Sequence, residues 1–264
     1  MKLFLSIIFF TITLFSSEII LSKKQANYVA KKVWQNEGAG KDKYLVWWNK
    51  GEDFASVGIG HFIWFSKGHK ERFREVFPMV LSYMERKKVK MPIWLNSKTS
   101  LPWSNKFEFF KAKKKKSKKY RELFTFLKST MSYQAEFMAI RLENALPEIL
   151  KTISTSQRKS LVKKRFYEVL KNKNGTINEK GLYVLLDYTN FKGEGTLKSE
   201  RYNAQGWGLL QVLEHMNPKE INKQKAFALS AKKMLSRRIK NSPPKRGEER
   251  WRKGWNIRLN TYWK

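Results

Sequence analysis

The feature that most constrains this fold is a single change of hydrophobic period between Lys23 and Phe65. Ala26, Val29, Ala30 and Val33 recur at helical spacing and predict a helix over Lys23 to Glu37, with lysines away from the apolar stripe. Glu37 extends that stripe by one turn, and Gly38 and Gly40 stop it. From Tyr44 to Phe65 the pattern becomes short, β-branched and aromatic, punctuated by Gly51, Gly58 and Gly60, as suits a small β-hairpin or sheet. A carboxylate at the buried edge of a helix C-terminus loses hydration and faces the negative end of the dipole. Both effects are expected to raise its pKa, which a general acid requires.

Beyond the hairpin the chain reads as mainly helical. Residues 71–86 and 119–153 carry helical periodicity, the second block bringing Gln134, Phe137, Met138 and Arg141 into register. A Pro/Trp-rich loop from Met91 to Trp103 separates them. A further helix is predicted over 157–171, ending near Asn174-Gly175. Apolar segments follow at 180–192 and 206–216, then a basic helix over 219–240 that stops before Pro243-Pro244. No internal repeat or long linker divides the chain, so 18–264 is expected to form a single α+β domain, mainly α-helical. With 41% hydrophobic residues it has a globular composition.

Residues 1–17 have the layout of a secretory signal: Lys2, an apolar run from Leu3 to Phe15, and Ser16–Ser17 as a small-residue cleavage region. Ile19, Ile20 and Leu21 would lengthen the apolar region to about residue 22 and allow a retained anchor instead, although Glu18 interrupts it. Either arrangement sends the chain out of the cytoplasm, to the periplasm or beyond. With no cysteine the chain uses no disulfide and offers no thiol for a lipid anchor. The formal net charge of +33 favours polyanionic partners. Export points to acidic envelope polymers and peripheral contact with anionic membrane rather than to intracellular nucleic acid; the alternative is a lysine-rich solvated surface. The run Lys113 to Lys119 is open to the same two readings, a solvated loop or helix start against a polyanion contact. Oligomeric state is not encoded in these patterns.

Carboxylates gathered by a short hairpin are what glycosidic bond cleavage requires. Glu37, the turn acids Glu52 and Asp53, and the strand Ser56-Val57-Gly58-Ile59-Gly60-His61 together resemble the phage-type lysozymes of the lysozyme-like superfamily. In that family a helix ends in the catalytic Glu, and a hairpin with an acid and a Thr leads into an Ile-Gly-Ile-Gly-His-like strand. The resemblance implies a lysozyme-like fold and Glu37 as general acid, with Ser56 in the position of the Thr and able to hold the attacking water. The second acid does not align: its expected place lies close to Lys50, and Glu52 is favoured over Asp53 because the Gly51 turn would aim it at the cleft. His61 either orients the hairpin and tunes the acids or is a satisfied structural histidine.

A second polar segment runs from Leu186 to Leu213. Gly206-Trp207-Gly208-Leu209-Leu210-Gln211 faintly resembles the Gly-Leu-Met-Gln motif of lytic transglycosylases, but it lies far downstream of Glu37. Asn190, Lys192, Glu194, Glu200, Arg201, Tyr202 and Gln205 form a dense polar patch that must be hydrogen-bonded or face a ligand. One reading makes it the opposite wall of a glycan cleft. Glu194 and Glu200 are then alternative acids, and Asn190, Arg201, Tyr202, Gln205 and Gln211 contact substrate together with Trp48. In the other, Glu194 and Glu200 pair with Arg201 or Lys192 to hold a loop. The tail from Asn241 to Lys264 interleaves arginine with Trp251, Trp255, Tyr262 and Trp263, either to stack on a ligand or to lock the terminus onto the core.

The three histidines lack zinc-motif spacing, and no nucleotide-binding loop or serine-hydrolase elbow is present. No metal or cofactor is implied. These features lead to an exported enzyme that cleaves peptidoglycan by hydrolysis or with an anhydro product. Its rivals are a non-catalytic module binding envelope glycan and a secreted protein that binds polyanions or nucleic acid.

Overall fold

The computed structural model of the chain describes residues 19–69 and 74–264, so the predicted signal at 1–17 lies outside the described residues. Helix α1 (Lys23–Gly38) starts at a capping box in which Ser22 and Gln25 satisfy each other's backbone N–H groups. It ends where Ala39 and Gly40 turn left-handed, with φ of 50° and 64°. The apolar stripe predicted for it, Ala26, Val29, Ala30 and Val33, is buried against α5 (Met131–Lys151) and α7 (Glu179–Lys192).

Strands β1 (Val46–Trp47), β2 (Ala55–Val57) and β3 (Phe62–Trp64) follow as an antiparallel sheet in sequence order. Val46 pairs with Val57, which in turn pairs with Phe62. The β2–β3 connection, Gly58 to His61, is pinned to α5 by Gln134. The fully buried Gln134 accepts from the Ile59 N–H at 2.8 Å and donates to the Leu127 carbonyl at 2.7 Å. Gly58 has φ of +74°, and a Cβ there would lie 2.4 Å from the Gln134 Oε1, so no other residue fits this crossing. The outer side of the sheet meets α2 (Phe77–Arg86), where Trp64 packs on Phe77 at 4.7 Å between ring centroids.

The predicted helix over 119–153 is two helices, α4 (Lys118–Ser129) and α5, broken at Thr130. Side chains bond the carbonyls at the break: Gln134 occupies Leu127, and the Thr130 hydroxyl donates to Phe126 at 2.7 Å beside its own N–H. A shorter α3 (Lys106–Lys114) precedes them. The C-terminal half is built from α6 (Ser156–Leu170), α7, α8 (Leu209–Glu214) and α9 (Lys223–Asn241) packed on one another. Asn105, Thr155, Asn178 and Asn222 cap α3, α6, α7 and α9 by accepting from a first-turn N–H. Between α7 and α8 a two-stranded ribbon, β4 (Arg201–Tyr202) and β5 (Gln205–Gly206), turns at Asn203 and Ala204, both with positive φ as a type I′ turn requires.

Helix α10 (Arg252–Asn260) brings the tail back over α7 and α9. Leu259 and Tyr262 are fully buried and Trp255 nearly so, so these residues of the arginine/aromatic tail lock it onto the core. The architecture is therefore α+β and mainly helical. Among the described residues no helix is long and apolar enough to cross a membrane.

Candidate active site

Glu37 sits on the last turn of α1, its side chain 15% exposed, where α7 and α10 converge. The Arg258 Nη2 donates to its Oε1 at 2.5 Å. The same guanidinium makes a two-pronged contact with Asp187, Nε to Oδ2 and Nη2 to Oδ1, each at 2.8 Å. Asp187 is wholly buried and also accepts from the Tyr262 hydroxyl at 2.6 Å and the Asn36 amide at 3.1 Å. Phe191 lies 4.0 Å beneath the guanidinium. Asn190 reaches Glu37 Oε1 and the Gly60 carbonyl, both at 3.3 Å.

This arrangement reverses the direction of pKa shift predicted from sequence. Burial is the largest influence and pushes the Glu37 carboxyl up. The charge and hydrogen bond of Arg258, with help from His61 and Asn190, outweigh it and hold Glu37 below the usual carboxylate range. Helix position alone predicts the opposite because it contains nothing of a guanidinium that arrives from the far end of the chain.

The hairpin supplies the facing wall. Glu37, Asn49, Glu52, Phe54, Ser56, Gly60, His61, Arg141, Asn190 and Phe191 are among the residues that line an open cleft of about 530 Å³. Glu52 is set in the turn by the Asn49 amide, which donates to its Oε2 at 2.8 Å, while the Trp47 indole donates to the Asn49 Oδ1 at 3.1 Å. Asp53 is exposed and does not line the cleft. Ser56, 5% exposed, forms part of the floor from the middle of β2. His61 stands with its Nδ1 3.8 Å from Glu37 Oε2 and also feels the Glu52 charge. Burial lowers the pKa of the imidazole, and the pull of Glu37 only partly restores it.

Trp48 is not on this surface. It is 3% exposed, packs in the core and donates its indole N–H to the Glu52 carbonyl at 2.7 Å, so it holds the turn from behind.

The second polar segment divides. Asn190 belongs to the cleft, and Glu194 lines a small adjoining pocket of about 30 Å³ that shares Arg141 and Asn190 with it. Burial and the nearby Glu200 raise the Glu194 carboxyl above its ordinary value. The remaining residues form a clasp. Glu200 accepts from the Gly195 and Leu197 N–H groups, Arg201 donates to the Gly195 and Thr196 carbonyls, and Gln211 joins Gly208 to Gly195. Tyr202 donates to Glu248, and the exposed Gln205 accepts from Asn241. Arg201, Tyr202, Gln205 and Gln211 thus lie outside the cleft, and Glu200 holds a loop by its backbone rather than pairing with Arg201 or Lys192. Lys192 instead lies between the rings of Phe191 at 3.9 Å and Trp255 at 3.6 Å, and burial with the charges of Arg238 and Arg258 pushes it down to about 6.

The residues that sequence patterns did not single out for the site are Arg258, Asp187, Asn49, Phe54, Arg141 and Phe191. Arg258 carried the one available signal, a position among the interleaved arginines and aromatics of the tail. Comparison with protein-family models, with curated proteins and with solved structures gives no match to this chain.

Proposed function

We propose that this chain is an exported glycosidase of lysozyme-like design that cleaves the glycan strand of peptidoglycan. The observation that carries the reading is that Glu37, on a helix end, and Glu52, on a hairpin turn, line one open cleft with His61 and Ser56. Two carboxyl groups reaching a shared cleft from separate elements suit the cleavage of a glycosidic bond that lies between them. Glu37 in its protonated form gives the proton to the leaving oxygen. Glu52, oriented by Asn49, positions water or offsets the oxocarbenium-like charge, and Ser56 holds the water at the cleft floor. Because Arg258 keeps Glu37 ionised, the protonated form is populated on the acid side of the pH range, and cleavage is fastest there. The large positive charge concentrates the enzyme on anionic envelope polymers, with an affinity that falls as salt rises.

The Glu37–Arg258 pair also favours one other reading, a glycan-binding cleft in which the carboxylate is a structural anion and no bond is cut. Zymograms on purified peptidoglycan over a pH series separate the two. The enzyme reading expects clearing at acidic pH that falls about 10²–10⁴-fold in Glu37→Gln. It also expects a strong loss in Glu52→Gln and little change in Asp53→Asn. Equal clearing by wild type and Glu37→Gln removes Glu37 from the chemistry. Retention on glycan without clearing at any pH supports the binding cleft, and salt-sensitive DNA binding without glycan binding removes both.

A further inference from the structure

Helix α3 and the strand beside it form a surface that the proposed chemistry does not use. Phe109 is the side chain of α3 that enters the core, which turns the other side of the helix outward. On that side Phe107 is 75% exposed and Phe110 36%, and Lys111 and Lys114 follow each of them by one turn. The apolar ridge continues across the fold. Phe110 meets the edge of Trp47 at 5.6 Å, and Trp47 meets Tyr44 at 5.1 Å.

Cations surround this ridge. The Lys113 Nζ lies 4.4 Å over Trp47, Lys43 lies 4.9 Å over Tyr44, and Lys111 sits 6.0 Å from Phe107. Past α3 the exposed Lys115, Lys116, Lys118 and Lys119 extend the positive field. The neighbouring acids are already engaged: Glu108 accepts from the Ser104 N–H and hydroxyl, and Asp42 pairs with Lys128.

We propose that this face of α3 docks on an anionic lipid bilayer. Phe107 and Phe110 enter the boundary between headgroups and acyl chains, and the exposed Lys43, Lys111 and Lys114 lie on the lipid phosphates, while Lys113 is held by the Lys43 and Val46 carbonyls. Charge complementarity and side-chain chemistry select this partner over a sugar or nucleic acid. Phe107 and Phe110 offer no polar group to read a glycan hydroxyl or a base edge, and the Lys113 and Lys43 side chains stand over the faces of Trp47 and Tyr44. Exposed apolar rings ringed by lysines are what an interfacial anchor presents. This inference does not depend on what the cleft cleaves.

The chain contains no cysteine, so a single introduced thiol reports one place on the surface. Phe107→Cys and Ile221→Cys, each labelled with an environment-sensitive fluorophore, are compared on vesicles of phosphatidylcholine with and without phosphatidylglycerol. Ile221 is 93% exposed and has Lys219 and Lys223 two residues to either side, so it serves as an exposed apolar control away from α3. The expected result is a blue-shifted, severalfold brighter dye at position 107 on the anionic vesicles only, and none at position 221. In parallel co-sedimentation Phe107→Ser lowers partitioning severalfold, and Lys111→Glu with Lys114→Glu lowers it by about fivefold per positive charge removed. Equal dye responses at 107 and 221, or no response at 107, overturn the proposal. An equal response at 107 to soluble heparin or duplex DNA also overturns it, by making the face a general polyanion site.

Discussion

Two buried carboxylates, Glu248 and Glu37, are each gripped by arginine, and they differ in what is left over. Glu248 is 1% exposed and saturated: Arg238 contacts both oxygens at 2.7 and 2.9 Å, Arg246 adds 3.0 Å and the Tyr202 hydroxyl 2.8 Å. Glu37 spends one oxygen on Arg258 and Asn190. Its other oxygen has His61 at 3.8 Å, and an open cleft lies alongside. The first arrangement ties the β4–β5 ribbon and the tail to α9. The second holds a carboxyl in place while leaving it able to meet a ligand. An ion pair in a buried setting is therefore not in itself a sign of structure or of function; the unspent valence decides.

The largest expected effect tests the structural member. Glu248→Ala leaves Arg238 buried without its partner, and the loss of one member of such a pair costs about 3–5 kcal/mol. Urea unfolding should show that loss, while the glycan-cleavage rate per folded molecule stays near wild type. Burial pushes the Glu248 carboxyl up, but its hydrogen bonds outweigh this and hold it at about 2. A depressed folded-state pKa gives stability that is present above the ordinary carboxylate value and lost as pH falls toward 2. Wild type should lose stability across that acid window and Glu248→Ala should be flatter through it. A stability change under about 1 kcal/mol would end the distinction between the two centres.

Arg258→Met addresses the cleft-facing member. Arg258 lowers the Glu37 pKa, so its removal raises it, and the proton that the proposed cleavage needs persists to higher pH. The alkaline limb of the cleavage profile should move up by about 1–3 pH units, the range an adjacent opposite charge commands. Some stability is lost as well, because Asp187 keeps only Tyr262 and Asn36. A pH–rate profile of the soluble variant checks the shift, and an unmoved limb would mean that Glu37 is not the group that titrates.

The same contrast explains how much could be read from the sequence. Helix α1, its glycine stop and the hairpin were legible because periodicity and turn chemistry are local, and the caps at Asn105, Thr155, Asn178 and Asn222 are local too. Glu37 and Glu52, which both line the cleft, sit at the ends of those elements. The electrostatics of the site were not legible, since Arg258 lies 221 residues from Glu37 and its approach depends on how the tail docks. Trp48 and Trp47 are adjacent aromatics, yet one is buried and the other flanks an exposed ridge, which residue type alone does not decide. The break at Thr130 was hidden because it depends on Gln134 taking a carbonyl, a side-chain choice made by the Gly58 loop.

Asn190→Ala should give the smallest effect and so calibrates the comparison. Its amide reaches Glu37 at 3.3 Å, a long contact beside the 2.5 Å bond from Arg258. Asn190 stabilises the ionised form, so its loss raises the Glu37 pKa and moves the alkaline limb in the same direction as Arg258→Met, but by less. A hydrogen bond of this kind is worth about 0.5–1.5 kcal/mol, so cleavage should change no more than about tenfold and urea stability should fall by a similar small amount. If the limb instead moved as far as in Arg258→Met, Asn190 would be setting the charge of Glu37. The cleft would then rely on a neutral side chain from α7 rather than on the guanidinium from α10.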